Sequence, residues 1–422
     1  MVRIGVSSEY FYQRNVDDAT FSIQMEFKLK KAIDIRSLKT ATSRAIELYP
    51  ELCFRPVLKD GKVVAEPNDK EVCVYDNRDV SRCFGSDETN GYLFYFSHDD
   101  RTLVLHFYHG MTDIKGIMAF LRTVFYYYND CLDGLPKDDP FFSTCRIDKD
   151  NLSGLDEDDM YDPYRKYADM SSVSPVVLPG PAFQIPEVPD DSTEHYSHKY
   201  RISLSTSEYL KKTKEIGASF ATLFHILVCD ATDRAYGIGD DLFIGMLPAD
   251  MRSYFGSDTY VNFSDSIMLP QTAEDRKHDI STRSGKIKDH IHGCLNTEYF
   301  SALLADKVRS VESFVPTPDA VKPKKIVTPF TLGISVPGRI ELGGGLDEMI
   351  EDFYIPSSSR VPIVSETSFM DHMTFYINMK NDNNTLPLAF KDELESYGLS
   401  CKLFDEGKIY TDIVCMDKLK RI

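Results

Sequence analysis

Between Thr102 and Tyr128 the chain reads TLVLHFYHGMTDIKGIMAFLRTVFYYY, a β-favouring run that gives way to a one-faced helix pattern. Leu103, Val104, Leu105, Phe107 and Tyr108 are aliphatic or aromatic, as a buried strand requires. Ile117, Phe120, Leu121, Val124 and Tyr128 then recur at helical spacing. At the junction stand His109, Gly110, Met111, Thr112 and Asp113, so a histidine leaves the strand and a carboxylate follows four residues later. A neutral imidazole, with an ordinary pKa near ~6.5, is available at cellular pH to take a proton. Asp113 would fix the loop or the ring tautomer. The spacing alone favours a core histidine beside a solvated aspartate, because four-residue spacings are common by chance, and the rest of the chain has to decide.

A chain of 422 residues has room for two domains or one large two-lobed unit. Its net charge of −18 argues against broad binding to nucleic acid or an anionic membrane. A phosphorylated cofactor needs only one local basic patch. No basic segment precedes an apolar core at the N terminus, and no apolar run approaches a membrane span, so a cytoplasmic protein is expected. Nine scattered cysteines without a CxxC pair read as reduced thiols, and no metal framework is expected.

Read in order, the alternation of Phe21, Ile23, Met25, Phe27 and Leu29 predicts a half-buried strand. Asp34 is an N-cap for a helix carrying Leu38, Ala41, Ala45, Ile46 and Leu48, which closes at Tyr49-Pro50. Asp60-Gly61 signals a hairpin after a strand near Phe54–Leu58, and short strands follow at Val72–Tyr75 and Gly91–Phe96. Asp130, Asp133, Asp138 and Asp139 lack the ligand order of an EF-hand and read as a solvated loop.

An acidic, then aromatic, then proline-rich crossover spans 148–195. It divides the chain into an N-terminal lobe (1–175), a linker (176–195) and a C-terminal lobe (196–422). The second lobe opens with a strand at His198–Leu204 and a helix capped by Ser205, followed by a longer helix through Leu223 to Ala235. A buried strand from Asp241 to Pro248 runs into Ala249-Asp250-Met251-Arg252 and a loop to Asn262-Phe263-Ser264. Residues 274–313 read as helical, and the HxH at His290 and His292 as an exposed face. Gly343-Gly344-Gly345 reads as a hairpin turn, Phe369–Met379 as a strand, Pro387–Gly398 as a helix and Cys401–Phe404 as a strand.

The HGMTDIKG stretch resembles the HxxxD core of the chloramphenicol acetyltransferase-like superfamily, which includes plant BAHD transferases, peptide-synthetase condensation domains and alcohol acetyltransferases. It looks closest to the alcohol acetyltransferase-like branch. The order strand, Asp250-Met251-Arg252, loop, Asn262-Phe263-Ser264 matches as well, and the likeness in element order covers nearly the whole chain. Two positions depart from HHxxxDG: Tyr108 replaces the leading histidine and Ile114 the glycine, with Gly116 two residues on. The DFGWG motif of plant members is absent, and there is no tryptophan.

The resemblance implies a mixed α/β (α+β) fold of two lobes, each a mixed sheet with flanking helices, meeting along an active-site channel. It implies acyl transfer from acyl-CoA, as co-substrate, to a small-molecule hydroxyl or amine. His109 would be the general base, with Asp113 held by Arg252, and Asn262 supporting the loop. Tyr108, Ile114, Ser264 and Thr331 would line the channel, the last two as oxyanion donors. Lys324 and Lys325, with Lys322 nearby, would meet the phosphates of coenzyme A. No tightly bound cofactor and no metal is implied. Two alternatives stay open: a catalytically silent binding or scaffold protein, motivated by Ile114 and Tyr108, and transfer from a carrier protein.

Overall fold

The computed structural model describes residues 5–13, 22–59, 62–76, 80–132, 144–149, 156–186, 196–313, 328–343, 345–358, 362–380, 382–415 and 417–422. Two large sheets organise these residues, each over its own apolar core. In the first, the strands run in the order Ile350–Tyr354, Ser22–Leu29, Thr102–Tyr108, Phe94–His98, Val74–Tyr75, with Ser357–Ser358 also on Ser22–Leu29. In the second, the order is Lys402–Tyr410, Tyr196–Ser205, His372–Met379, Ile363–Phe369, Leu332–Ser335, Phe243–Asp250, Ser264–Gln271. A third, small sheet pairs Lys420–Arg421 with the hairpin Phe54–Lys59 and Lys62–Pro67. This is the two-lobed mixed α/β arrangement.

The strand Thr102–Tyr108 sits inside the first sheet, antiparallel to both neighbours. With both edges paired and both faces covered, it can be apolar almost throughout. Leu103, Leu105 and Phe107 point into the core beneath the helices Ile35–Ile46 and Ile114–Leu132. Asp34 caps the first of these helices by accepting from the Ser37 amide at 2.9 Å. The turn at Asp60-Gly61 lies outside the described residues, but the strands on either side pair as a hairpin.

The helical reading of 274–313 holds, as three helices, Ala273–Arg276, Ile280–Cys294 and Thr297–Glu312, the last two started by the N-caps Asp279 and Asn296. Two other elements differ from their sequence reading. The expected strand over 369–379 is the turn and second arm of a hairpin, Ile363–Phe369 with His372–Met379, and Met370 takes a left-handed φ of 52° at the bend. Gly345, with φ 75°, caps the short 3-10 turn Leu346–Met349 rather than joining two strands.

The chain crosses between lobes more than once. Strands Ile350–Tyr354 and Ser357–Ser358, although past residue 196, belong to the first sheet. The C-terminal segment returns there too. Cys83 and Cys415, 332 residues apart, form a disulfide, which corrects the reading of all nine cysteines as free thiols. Sequence spacing hides such a pair, because only the folded tail brings the two together. Three residues before Cys415, the buried Asp412 binds His106 Nδ1 at 2.9 Å and accepts from the Tyr95 hydroxyl at 2.7 Å. The other ring nitrogen of His106 meets the Ser97 hydroxyl at 2.7 Å. All three members of this Ser97–His106–Asp412 chain are at most 1% exposed, so it fastens the tail and reaches no solvent.

Candidate active site

The turn after the strand folds beneath the His109 ring. Nδ1 lies 3.1 Å from the Thr112 carbonyl oxygen. A carbonyl only accepts, so Nδ1 holds the proton and Nε2 is the basic nitrogen. The ring is half-buried. Burial pushes its pKa below the ordinary 6.5, against the opposing pull of the Thr112 carbonyl and the Asp113 carboxylate. The neutral form therefore prevails at cellular pH.

Asp113 points away from that ring. One carboxylate oxygen accepts from the Gly116 amide at 2.8 Å, which makes Asp113 the N-cap of the helix Ile114–Leu132. The other accepts from the Phe263 amide at 2.9 Å and lies 2.9 Å from Arg252 Nη2. Both charged side chains are less than a tenth exposed. Arg252 also donates to the carbonyls of Thr259 and Val261 at 2.7 and 2.8 Å, and pairs with Asp250 at 2.7 Å. Burial alone would raise the Asp250 carboxyl, yet Lys115 and Arg252 beside it hold it below the usual range. One guanidinium thus ties the second-lobe loop to itself and to the histidine turn.

Asn262 adds a second tie. Its side-chain amide donates to the His109 carbonyl at 2.9 Å, and its backbone amide donates to the Met111 carbonyl at 3.1 Å. Ser264 donates its hydroxyl to Asn262 Oδ1 at 2.9 Å, which orients that amide. Thr331 Oγ1 accepts from the Ile244 amide at 3.1 Å at the start of its strand. Tyr108 is buried against Phe84 in the first core. Lys322, Lys324 and Lys325 lie outside the described residues.

Ile114 is the first residue of the helix, half-buried, and is not among the positive-φ residues. A β-branched side chain there carries no left-handed strain. The residue that must be glycine is Gly116: a methyl on it would overlap the Tyr260 carbonyl oxygen and crowd the Thr112 hydroxyl. Gly116→Ala is expected to destabilise the fold by about 1–3 kcal/mol, read as a lower urea midpoint, because two lobes touch at that point.

Sequence reasoning missed three contributors. The Thr112 carbonyl and the Phe263 amide are backbone groups, which no residue type announces. Ser8, on the helix Val6–Gln13, donates its hydroxyl to the Gly110 carbonyl at 2.5 Å from more than a hundred residues away.

No protein-family model matches the chain, and no curated protein matches it. Solved structures do. Polyketide synthase associated protein 5 from Mycobacterium tuberculosis is 14% identical, with 93% of this chain and 97% of that one aligned at a TM-score of 0.57. TRI101 of Fusarium sporotrichioides, complexed with coenzyme A and T-2, is 13% identical over 96% and 99% of the two chains, with a TM-score of 0.58. The epimerization domain from the third module of tyrocidine synthetase B is 11% identical over 94% and 96%, with a TM-score of 0.60. These likenesses span both lobes and nearly every residue of each partner. The chain therefore shares the two-lobed mixed α/β fold of these solved structures.

Proposed function

We propose that this chain is an acyltransferase that moves an acyl group from acyl-CoA to a hydroxyl or amine acceptor, with His109 as general base. The observation that carries the proposal is the His109 turn, where the Thr112 carbonyl holds the proton on Nδ1 and burial keeps the ring neutral. Likeness to TRI101, which was crystallised with coenzyme A, supports the choice of donor.

In the proposed reaction Nε2 takes the acceptor's proton while the acceptor oxygen bonds to the thioester carbonyl carbon. The tetrahedral intermediate then breaks its carbon–sulfur bond, and the imidazolium returns the proton to the leaving thiolate. Asp113 transfers no proton in this scheme; with Arg252 and Asn262 it holds the turn. Ser264 is assigned to orienting Asn262, since its hydroxyl is already donated there. Thr331 stays the proposed oxyanion donor. Lys324 and Lys325 stay proposed contacts to the coenzyme, and the division at 176–195 stays the proposed lobe boundary.

The test is incubation with acetyl-CoA and longer acyl-CoAs plus a panel of alcohols and amines, with products read by mass spectrometry and His109→Ala alongside. Product that vanishes in the variant supports the reading; no product and no acyl-CoA binding refutes it. The likeness to synthetase domains favours a second reading, transfer from a carrier protein, which would leave free acyl-CoA unused. The silent-scaffold alternative rests on Ile114 in place of the motif glycine and Tyr108 in place of the leading histidine. A large gain of activity in Ile114→Gly over an inactive parent would favour it.

A pH profile follows from the same geometry. Protonation removes the base, so kcat/KM is expected to fall as pH drops through the His109 pKa. Burial lowers that pKa, which puts the acid limb below pH 6.5 and the plateau across pH 7–8. An acid limb centred above 6.5 contradicts the assignment.

A further inference from the structure

The Thr112 carbonyl holds the proton on His109 Nδ1, so whatever keeps that peptide in place sets which ring nitrogen is basic. The peptide joining Thr112 to Asp113 is gripped on both sides. On one side the Asp113 carboxylate accepts from the Gly116 and Phe263 amides and pairs with Arg252. On the other the buried Thr112 donates its hydroxyl to the Tyr260 carbonyl at 2.6 Å, reaching from the histidine turn to the second-lobe loop. The Asp113 carbonyl, at 3.3 Å, is a poorer acceptor for the same proton.

Tyr260 is in turn seated by the first lobe. Its ring lies 4.6 Å from the Arg146 guanidinium, within cation–π range, and 5.4 Å from the Tyr49 ring. Arg146 is buried, pairs with Glu51 at 2.9 Å and donates to the Leu48 carbonyl at 2.9 Å. The Tyr49 hydroxyl accepts from the Arg146 amide at 3.1 Å and lies 2.8 Å from the Thr123 hydroxyl on the helix Ile114–Leu132. The carbonyl side has no slack either, since a methyl on Gly116 would stand 2.2 Å from the Tyr260 oxygen. Ring and carbonyl of Tyr260 are both fixed, and the Thr112 hydroxyl is tied to a rigid point.

We propose that the Thr112 hydroxyl is a positioning group for the general base, setting the tautomer of His109 through the carbonyl of its own residue, with Tyr260 as its anchor. His109 is then a competent base only while the second-lobe loop is seated. The inference rests on the acyl-transfer reading for its effect on rate, but the state of the ring can be read without it.

Thr112→Val removes the hydroxyl at nearly constant volume, and Thr112→Ser restores it. Heteronuclear NMR of the histidine rings, on the full chain without acyl-CoA, reads the tautomer, with His109 assigned by its loss in His109→Gln. The wild-type and Thr112→Ser rings are expected in the Nδ1–H form. The Thr112→Val ring is expected to gain an Nε2–H fraction and to titrate at lower pH, because the Thr112 carbonyl raises its pKa against burial. In turnover, kcat of Thr112→Val should fall about 10- to 100-fold with KM within about twofold, as a displaced base leaves substrate binding intact. Tyr260→Leu, which keeps the carbonyl but removes the aromatic seat, should move the ring the same way, and Tyr260→Phe should restore it. A Thr112→Val ring with the wild-type tautomer and titration overturns the assignment, whatever happens to its urea midpoint. Thr112→Ser behaving like Thr112→Val overturns it too. A shifted ring in a protein that transfers no acyl group keeps the positioning role and overturns the acyl-transfer reading. Acyl transfer that survives in Thr112→Val with an unchanged ring does the reverse.

Discussion

His109→Ala is expected to lower kcat for acyl transfer by about a thousandfold, the middle of the range of roughly 10²–10⁴ ascribed to a positioned acid–base group. The fold should survive. The ring is half-buried, and the turn keeps its Asn262 and Met111 bonds, which use backbone carbonyls that alanine also has. Tm should therefore move little while activity collapses. Single-turnover mass spectrometry with saturating acyl-CoA reads the effect without a contribution from product release. A His109→Ala protein retaining a tenth or more of its activity would remove the base from the mechanism.

Arg252→Met should fail differently. It strips the cation from beside Asp113 but leaves that carboxylate buried, accepting only from the Gly116 and Phe263 amides. Breaking a buried pair from one side costs about 3–5 kcal/mol, and urea unfolding should show it. Activity should fall as well, because the second-lobe loop also loses its bonds through Thr259 and Val261. Asp113→Asn combined with Arg252→Met should cost less than the sum of the two single changes, since the stranded charge is gone. Additive losses would mean that the two residues do not act as a pair.

Which parts of this were readable beforehand follows from how local each signal is. The turn from His109 to Asp113 was visible because strand and helix patterns meet there within a few residues. Arg252 and Asn262 were reached through a resemblance in order and spacing; nothing local pairs residues 139 or more positions apart. Gly116 shows the limit well. The motif departure drew attention to Ile114, but the glycine requirement comes from the Tyr260 carbonyl of the other lobe, which the sequence of the turn cannot contain. The helical character of 274–313 was legible as a whole, while its division at the caps Asp279 and Asn296 was not read. The cysteine reading failed because it used spacing alone, and the cytoplasmic placement loses that support with the Cys83–Cys415 bond.

The returning C-terminal tail sets an order of events during synthesis. His106, on the strand that presents His109, takes its hydrogen-bond partner from Asp412, 306 residues later, and residues Ile350–Tyr354 complete the same sheet. A ribosome that has made the whole N-terminal half has not yet supplied the pieces that close it. The first lobe must wait, with its sheet edge open and apolar surface uncovered, until Asp412 and its neighbours emerge. Such a chain closes its first lobe with residues that lie far along the sequence, so a chain stopped before Asp412 should aggregate.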